Sequence, residues 1–150
     1  MLVKPSPSAR RNARKLALQG IYQWQVTHVP PALIEAQLLE EKSLTKIDVP
    51  YFREVLKGVC EEIDNLDEKI EPALDRPLIE VSSIERAVLR LAVYEFLYRI
   101  DIPYRVVIDE ALRLSKVFGT TEGFKYVNGV LDKVAPSIRA LECQTRGGGG

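Results

Sequence analysis

Five basic residues near the start of the chain have the types and spacing suited to binding an anion. They lie in a stretch, residues 1–34, that contains no Asp or Glu: Lys4, Arg10, Arg11, Arg14 and Lys15. Arginine side chains and the free N–H groups of a helix N-terminus together suit a phosphate group. Because the whole chain has a formal net charge of zero, a local basic site is favoured over a nonspecific polycation that coats nucleic acid.

The stretch that carries these residues, SARRNARKLALQGIYQWQ, is predicted to be a helix with Ser8 as its N-cap. Apolar residues recur at three- and four-residue steps and predict one buried stripe: Ala13, Leu16, Ala17, Gly20, Ile21 and Trp24. At about 100° per residue, Tyr22 shares the opposite, basic side with the three arginines and Lys15. No acid at i±4 relieves these cations, so an RNA backbone would stabilise them and Tyr22 would be available to stack on a base. The alternative is a solvated basic face without a ligand.

Elsewhere the apolar periodicity is also helical, and no segment is typical of a strand hairpin. This pattern predicts an all-α fold of about six or seven helices joined by short turns. One long helix is expected over residues 49–74, with Pro72 near its end or at a kink. Ser82 and Glu85 stand at capping-box spacing at the start of the next helix. The last strong helix is expected to end at or near Pro136.

The stretch FGTTEGFKYVNGVLDK, residues 118–133, is unusual because a helix there carries two glycines. Gly123 and Gly129 each cost up to about 1 kcal/mol of helix propensity relative to alanine. Close helix packing is expected to explain Gly129, and Gly119 is expected to end the preceding helix. Three polar or aromatic residues then lie on or near the exposed early turns: Glu122, Lys125 and Tyr126.

The sequence lacks the motifs of common enzyme and metal sites. It contains one histidine, His28, beside a Pro-Pro turn, and no HExxH, CxxC, Walker, GxGxxG or GxSxG pattern. We therefore expect no catalytic residue, no metal site and no cofactor. Two distant cysteines, Cys60 and Cys143, favour free thiols in a reducing compartment, and no apolar run approaches the roughly 20 residues of a membrane span. These features predict a cytoplasmic protein without a membrane partner.

Five pieces of the chain resemble the NusB family of transcription antitermination factors, in the family's order: ARRNARKLALQGIYQWQ, YFREVLKGV, IERAVLRLAVYE, IPYRVVIDEALRLSKVFG and KYVNGVLDKVAP. The resemblance covers most of residues 9–137. It implies an all-α fold of two small packed helical subdomains and no catalytic activity. It also implies binding to the boxA element of nascent ribosomal RNA transcripts, together with the ribosomal protein NusE, within the transcription elongation complex.

The resemblance, with the residue pattern, assigns roles to individual side chains. The predicted RNA-binding residues of the first helix are Arg10, Arg11, Arg14, Lys15 and Tyr22. Those of the later stretch are Glu122, Lys125 and Tyr126. Glu85 matches an acidic position that contacts NusE in the family. An arginine common in the family's first helix is Asn12 here, which is expected to weaken phosphate binding slightly.

Glu122 and Tyr126 are expected to contact bases, whereas the arginines contact phosphates. A carboxylate is repelled by phosphate but accepts hydrogen bonds from the exocyclic amines of bases. Tyr126 follows one helical turn later and so lies on the same face, where its ring can stack on an unpaired base. The alternative makes Tyr126 a core aromatic and Glu122 a charge favoured by the helix macrodipole.

The expected boundaries are a flexible segment 1–8, an RNA-binding helical domain 9–140 and a disordered tail 141–150. The main alternative function is a helical protein-interaction module, either a homodimer or an adaptor for an acidic partner. A homodimer formed through the Arg-rich helix would compete with RNA. A related helical domain precedes the catalytic domain of rRNA cytosine methyltransferases, but the sequence contains no cofactor-binding half.

Overall fold

The computed structural model describes residues 6–147, and the side chains of residues 6–144. Within those bounds it contains eight α-helices and no strand, which confirms the all-α prediction with a helix count close to the six or seven expected. The chain divides into two compact units, residues 1–62 and residues 63–150. No helix in the described part of the chain is long and apolar enough to cross a bilayer.

The first unit is built from three helices and one short 3-10 helix. They are α1 (Pro7–Thr27), α2 (Pro31–Glu40), the 3-10 helix Leu44–Lys46 and α3 (Val49–Glu61). Helix α1 packs against α2 and α3. Gly20 permits a close approach of α1 to α3, because a Cβ at that position would lie 3.0 Å from a methyl group of Leu56.

Helix α1 begins earlier than the sequence pattern predicts. Its N-cap is Ser6, whose hydroxyl accepts a hydrogen bond from the N–H of Ala9 at 3.1 Å, and Pro7 occupies the first turn. The assignment of the cap to Ser8 is therefore wrong, because proline is favoured just inside a helix start and places the cap before it. Part of the segment predicted to be flexible is thus helical, and residues 1–5 lie outside the described residues. The helix ends at Thr27, and its C-cap is His28, which adopts a left-handed conformation with φ of 59°.

The second unit contains five helices and two short 3-10 helices. They are α4 (Ile63–Ile70), Glu71–Ala73, Leu78–Glu80, α5 (Ser83–Tyr98), α6 (Tyr104–Phe118), α7 (Thr121–Ile138) and α8 (Ala140–Gly147). Helix α5 is central, since α4, α6 and α7 all pack against it. Its second half is buried almost all round, as expected for a helix that is hydrophobic on every side.

The single long helix predicted over residues 49–74 is wrong. The chain leaves helical geometry at Glu62, with φ of −100° and ψ of 18°, and α4 resumes at Ile63. Pro72 lies in the 3-10 helix that follows α4. Neither Gly nor Pro stands at residues 61–63, so the apolar periodicity continues across the break and does not reveal it.

The end of the chain also differs from the prediction. Helix α7 ends at Ile138, near Pro136 as expected, but α8 occupies residues that were expected to be a disordered tail. The physical reason is Glu142, whose carboxylate accepts hydrogen bonds from the N–H of Tyr104 at 2.8 Å and from the guanidinium of Arg139 at 2.7 Å. These contacts attach α8 to the start of α6. Residues 148–150 lie outside the described residues.

Arg139 closes the C-terminal end of α5. Its side chain is buried, with the residue only 7% exposed, and it donates hydrogen bonds of 2.7–3.2 Å to one carboxylate and four backbone carbonyls. The acceptors are Glu142 and the carbonyl oxygens of Glu95, Phe96, Arg99 and Ile102. The last carbonyls of a helix have no N–H partner in the next turn. The guanidinium of Arg139 therefore supplies hydrogen-bond donors to carbonyls at the end of α5.

We expect Arg139→Met to destabilise the protein strongly, because it removes the guanidinium that donates to buried carbonyls and to the carboxylate of Glu142. The expected loss is about 3–5 kcal/mol, equivalent to a fall in Tm of roughly 10 °C. Thermal unfolding followed by circular dichroism measures it. The control is Arg113→Met, whose side chain is exposed and forms only a 3.7 Å ion pair with Glu110. Equal melting temperatures for the two variants would contradict the assignment.

Candidate nucleic-acid interface

The outward side of α1 forms a narrow stripe, which we call the α1 stripe. Its members recur at steps of three and four residues and are Arg11, Lys15, Gln19, Tyr22 and Val26. Tyr22 is 39% exposed and Val26 is 55% exposed, whereas the first three side chains are partly exposed. The whole helix contains no Asp or Glu. The stripe therefore combines two cations and one aromatic ring without an acid on the same helix.

Arg10 does not belong to this stripe, because it is engaged within the first unit. Its Nε donates to the carboxylate of Asp48 at 3.1 Å, and its guanidinium lies 3.9 Å from the centre of the Tyr51 ring. No acid within four residues on α1 relieves this cation, as expected, but Asp48 from the start of α3 does. Its partner lies 38 residues away in sequence, beyond the reach of any pattern along one helix.

Arg14 is likewise directed into the protein. The residue is 5% exposed, and its guanidinium lies 5.6 Å from the centre of the same Tyr51 ring. The helical wheel placed Arg14 on the exposed basic side, and that placement is wrong because α3 covers this side of α1. Arg10 and Arg14 thus form a cationic pair around one tyrosine, separate from the partly exposed Arg11 and Lys15.

Asp48 positions this arrangement. It is 8% exposed, it caps α3 by accepting a hydrogen bond from the N–H of Tyr51 at 3.2 Å, and its own N–H donates to the carbonyl of Ala9 at 3.1 Å. The carboxylate also receives Arg10. One side chain therefore joins the start of α1 to the start of α3 and holds the guanidinium of Arg10 between them.

The second predicted surface lies at the start of α7, in the other unit. Thr120 caps the helix by accepting a hydrogen bond from the N–H of Gly123 at 3.0 Å. Glu122 and Lys125 are exposed on the first turns, and Tyr126 is half-buried one turn after Glu122. The structure thus brings Glu122, Lys125 and Tyr126 together as expected, with the tyrosine at the surface and not in the core.

Two residues that the sequence did not single out surround Tyr126. Its hydroxyl donates to the carboxylate of Asp75 at 3.1 Å, and the guanidinium of Arg76 lies 4.6 Å from the ring centre. Arg76 also binds Asp75 with its Nε at 2.8 Å. Asp75 and Arg76 lie in the irregular segment between the two 3-10 helices, where no periodicity marks a functional residue.

The electrostatics of this cluster follow from its contacts. The pKa of Asp75 is lowered below its ordinary value, chiefly because Arg76 donates to the carboxylate. Burial raises the pKa of the Tyr126 phenol above its ordinary value, and the hydrogen bond to Asp75 adds to the rise. At neutral pH the cluster therefore presents a neutral phenol, a carboxylate and a guanidinium.

Glu85 is held close to the same helix start. Ser82 is the N-cap of α5, as predicted, and its hydroxyl also donates to the Glu85 carboxylate. A Cβ on residue 123 would collide with that carboxylate, so Gly123 permits the close approach of the Glu85 side chain to the start of α7. The packing role expected for Gly129 is wrong, because a Cβ there would meet nothing within 4 Å.

His28 is exposed at the end of α1, as a surface loop residue would be, and both cysteines are free thiols. Among the described residues, no group of three or more His, Cys, Asp or Glu side chains is arranged to hold a metal ion.

Comparison with known proteins identifies the family. The model of the NusB family matches residues 11–136. A transcription antitermination protein NusB from Shewanella amazonensis is 53% identical over 128 residues, which cover 85% of this chain and 96% of that protein. The structure of T. maritima NusB is similar with a TM-score of 0.79 at 30% identity, over 95% of this chain and 99% of that one.

A further structure, described as antitermination factors NusB and NusE in complex with dsRNA, has a TM-score of 0.78. It is 23% identical and covers 88% of this chain and 99% of that one, so it shows the shared fold. The family model spans most of the chain, and the Shewanella relative is more than half identical to it. This chain belongs to the NusB family.

Proposed function

We propose that this protein is a transcription antitermination factor that binds boxA-like single-stranded RNA of nascent ribosomal RNA transcripts. It acts in the cytoplasm with the ribosomal protein NusE as part of the transcription elongation complex, and it is a binding protein without catalytic activity. The observation that carries the proposal is the acid-free α1 stripe with Arg11, Lys15 and Tyr22. Further support comes from relatives named transcription antitermination protein NusB and from a structural neighbour that contains NusB, NusE and dsRNA.

Arg11 and Lys15 supply the phosphate contacts in this proposal. They lie one helical turn apart on the exposed side of α1, which suits successive contacts along one backbone. Arg10 and Arg14 act indirectly, because their guanidinium groups surround Tyr51 and hold α1 against α3. Tyr22 follows on the same stripe and offers its ring to a base.

Glu122 and Tyr126 supply base recognition. The exposed carboxylate of Glu122 accepts hydrogen bonds from exocyclic amines, and the Tyr126 ring stacks on an unpaired base. Asp75 and Arg76 hold that ring in place through the phenol hydrogen bond and the guanidinium on its face. Restricting the ring before RNA arrives lowers the conformational entropy lost on binding. Lys125, exposed on the same turn, adds a phosphate contact.

Glu85 faces NusE in this proposal, and it also has a structural role. Its carboxylate accepts a hydrogen bond from Ser82 and lies against Gly123 at the start of α7. A change at Glu85 must therefore keep the side-chain length, so that loss of the partner contact is separated from loss of the helix cap.

The proposal specifies single-stranded RNA, whereas the structural neighbour with NusB and NusE holds double-stranded RNA. Single strands expose base faces to Tyr22 and Tyr126, and a duplex conceals them. Titrating the protein with boxA-like RNA and with the same sequence in a duplex distinguishes the two. Stronger binding of the single strand supports the proposal, and absence of salt-dependent RNA binding would favour the protein-interaction alternative.

Replacing both Arg11 and Lys15 with Ala should lower the affinity for boxA-like RNA and for scrambled RNA by the same factor. For single strands the slope of log affinity against log salt is about −0.7 per neutralised phosphate, so the slope should become shallower by about 1.4. Fluorescence anisotropy at several salt concentrations measures it. The matched control is Arg53→Ala with Lys57→Ala, one Arg and one Lys four residues apart on α3 of the same unit.

The control pair is 57% and 74% exposed at its side chains and forms ion pairs with Glu35 and Glu61. It should leave the slope nearly unchanged. If both double variants change the slope equally, the phosphate contacts are not located on the α1 stripe.

Changing the α7 residues should alter specificity and leave the salt slope intact. Tyr126→Ala should reduce the affinity ratio of boxA-like to scrambled RNA, because stacking contributes about 1–3 kcal/mol per base. Glu122→Gln should also change the ratio. Tyr126→Phe is the control, since it keeps the ring and removes only the hydrogen bond to Asp75. Should Tyr126→Ala and Glu122→Gln both keep the wild-type ratio, base recognition at α7 would be excluded.

Glu85→Gln should weaken NusE binding while RNA binding in the absence of NusE stays near wild type. Glutamine keeps the length of the side chain and an oxygen that accepts from Ser82, but it removes the charge. Isothermal titration with purified NusE measures the affinity, and a melting curve verifies the fold. Glu80→Gln, exposed on the neighbouring 3-10 helix, is the control. Wild-type NusE affinity in Glu85→Gln would place the partner surface elsewhere.

A further inference from the structure

A groove of about 240 Å³ lies beside α1, where the 3-10 helix Leu44–Lys46 approaches it. Three lysines line the groove, one from α1 and two from the segment after α2, and no carboxylate lines it. They are Lys15, Lys42 and Lys46. Three ammonium groups around one small volume repel one another, and a bound anion would relieve that repulsion.

The wall of the groove is fixed to α1 by specific hydrogen bonds. The side-chain amide of Asn12 donates to the carbonyl of Lys46 at 2.9 Å, and the N–H of Asp48 donates to the carbonyl of Ala9 at 3.1 Å. Within the wall, the N–H of Lys46 donates to the carbonyl of Ser43 at 3.3 Å. The backbone at Lys46 is therefore tied to α1 through its own carbonyl and through Asp48 two residues later, and this lysine lies beside the helix.

The size and chemistry of the groove favour a phosphate group. The volume of about 240 Å³ is below the roughly 300–1,000 Å³ typical of pockets that enclose an organic ligand. Lysine binds phosphate as a point charge without strict geometry. Ser43 adds a hydroxyl that can donate to a phosphate oxygen. The lining thus supplies charge and a donor, but no aromatic ring to hold a base.

The groove continues the α1 stripe. Lys15 belongs to both, and Arg11 lies one turn earlier, about 6 Å along the helix axis. We propose that the groove is a second RNA-backbone site, in which Lys42 and Lys46 bind phosphates flanking the segment held by Arg11 and Lys15. This inference rests on the proposed function, and it predicts that the protein binds an RNA longer than its recognition element more tightly than the element alone.

The test uses the full chain and two single-stranded RNAs, a boxA-like core and the same core extended by about ten nucleotides at each end. Extension should increase wild-type affinity several-fold. Lys42→Gln with Lys46→Gln should abolish that gain, make the salt slope for the extended RNA shallower by about 1.4, and leave the core RNA unaffected. Arg53→Gln with Lys57→Gln removes the same charge from α3 and should retain the gain.

Failures of the two proposals give different results. If wild type binds neither RNA, both the proposed function and the groove site are wrong. If wild type binds the core, but extension adds no affinity or the lysine variant retains the gain, only the groove site is wrong. If the lysine variant and the control lose the same affinity for both RNAs, the effect comes from long-range charge alone, and the groove site is wrong. The RNA-backbone site in the groove would also be wrong if an acidic peptide bound at Lys42 and Lys46 while their substitution left RNA binding unchanged.

Discussion

Asp48 accepts a hydrogen bond from Arg10 on α1 and another from the first turn of α3, so one buried carboxylate joins two helices. The same residue donates its N–H to the carbonyl of Ala9, which places the following turns of α1. Leaving a buried carboxylate without its partner costs about 1–3 kcal/mol or more. Arg10 therefore has a structural role in joining α1 to α3. Arg11 and Lys15 lie on the outward side of a helix whose position these contacts fix.

A comparable division holds in the second unit. Asp75 receives both the Tyr126 hydroxyl and the Arg76 guanidinium, and Arg76 covers part of the tyrosine ring. Glu85 lies against Gly123 at the start of the same helix. In both units a carboxylate fixes the groups that neighbour the proposed contacts, which reduces the freedom that binding would otherwise have to remove. The acids of this neutral chain thus organise its basic and aromatic groups.

Patterns within one helix were predictable from sequence, and contacts between distant segments were not. Apolar periodicity located α1, and the spacing of Ser82 and Glu85 located the cap of α5. The five segments that resemble the NusB family also predicted the family correctly. The pairing of Arg10 with Asp48 joins residues 38 apart, and that of Tyr126 with Asp75 joins residues 51 apart. A helical wheel contains no information about either. For the same reason the helical wheel predicted an exposed Arg14, whereas α3 covers this residue. Composition likewise predicted a disordered tail, whereas a hydrogen bond from Tyr104 to Glu142 anchors α8 there.

The central claim is that single-stranded RNA contacts the α1 stripe and the first turns of α7. The most direct measurement is a titration of isotopically labelled protein with boxA-like RNA, followed through the backbone amide signals by NMR. The account predicts the largest shifts at residues 11–22 and around Glu122 and Tyr126, with small shifts on α3 near Arg53 and Lys57. Shifts concentrated on α2 and α3, with α1 unchanged, would contradict it.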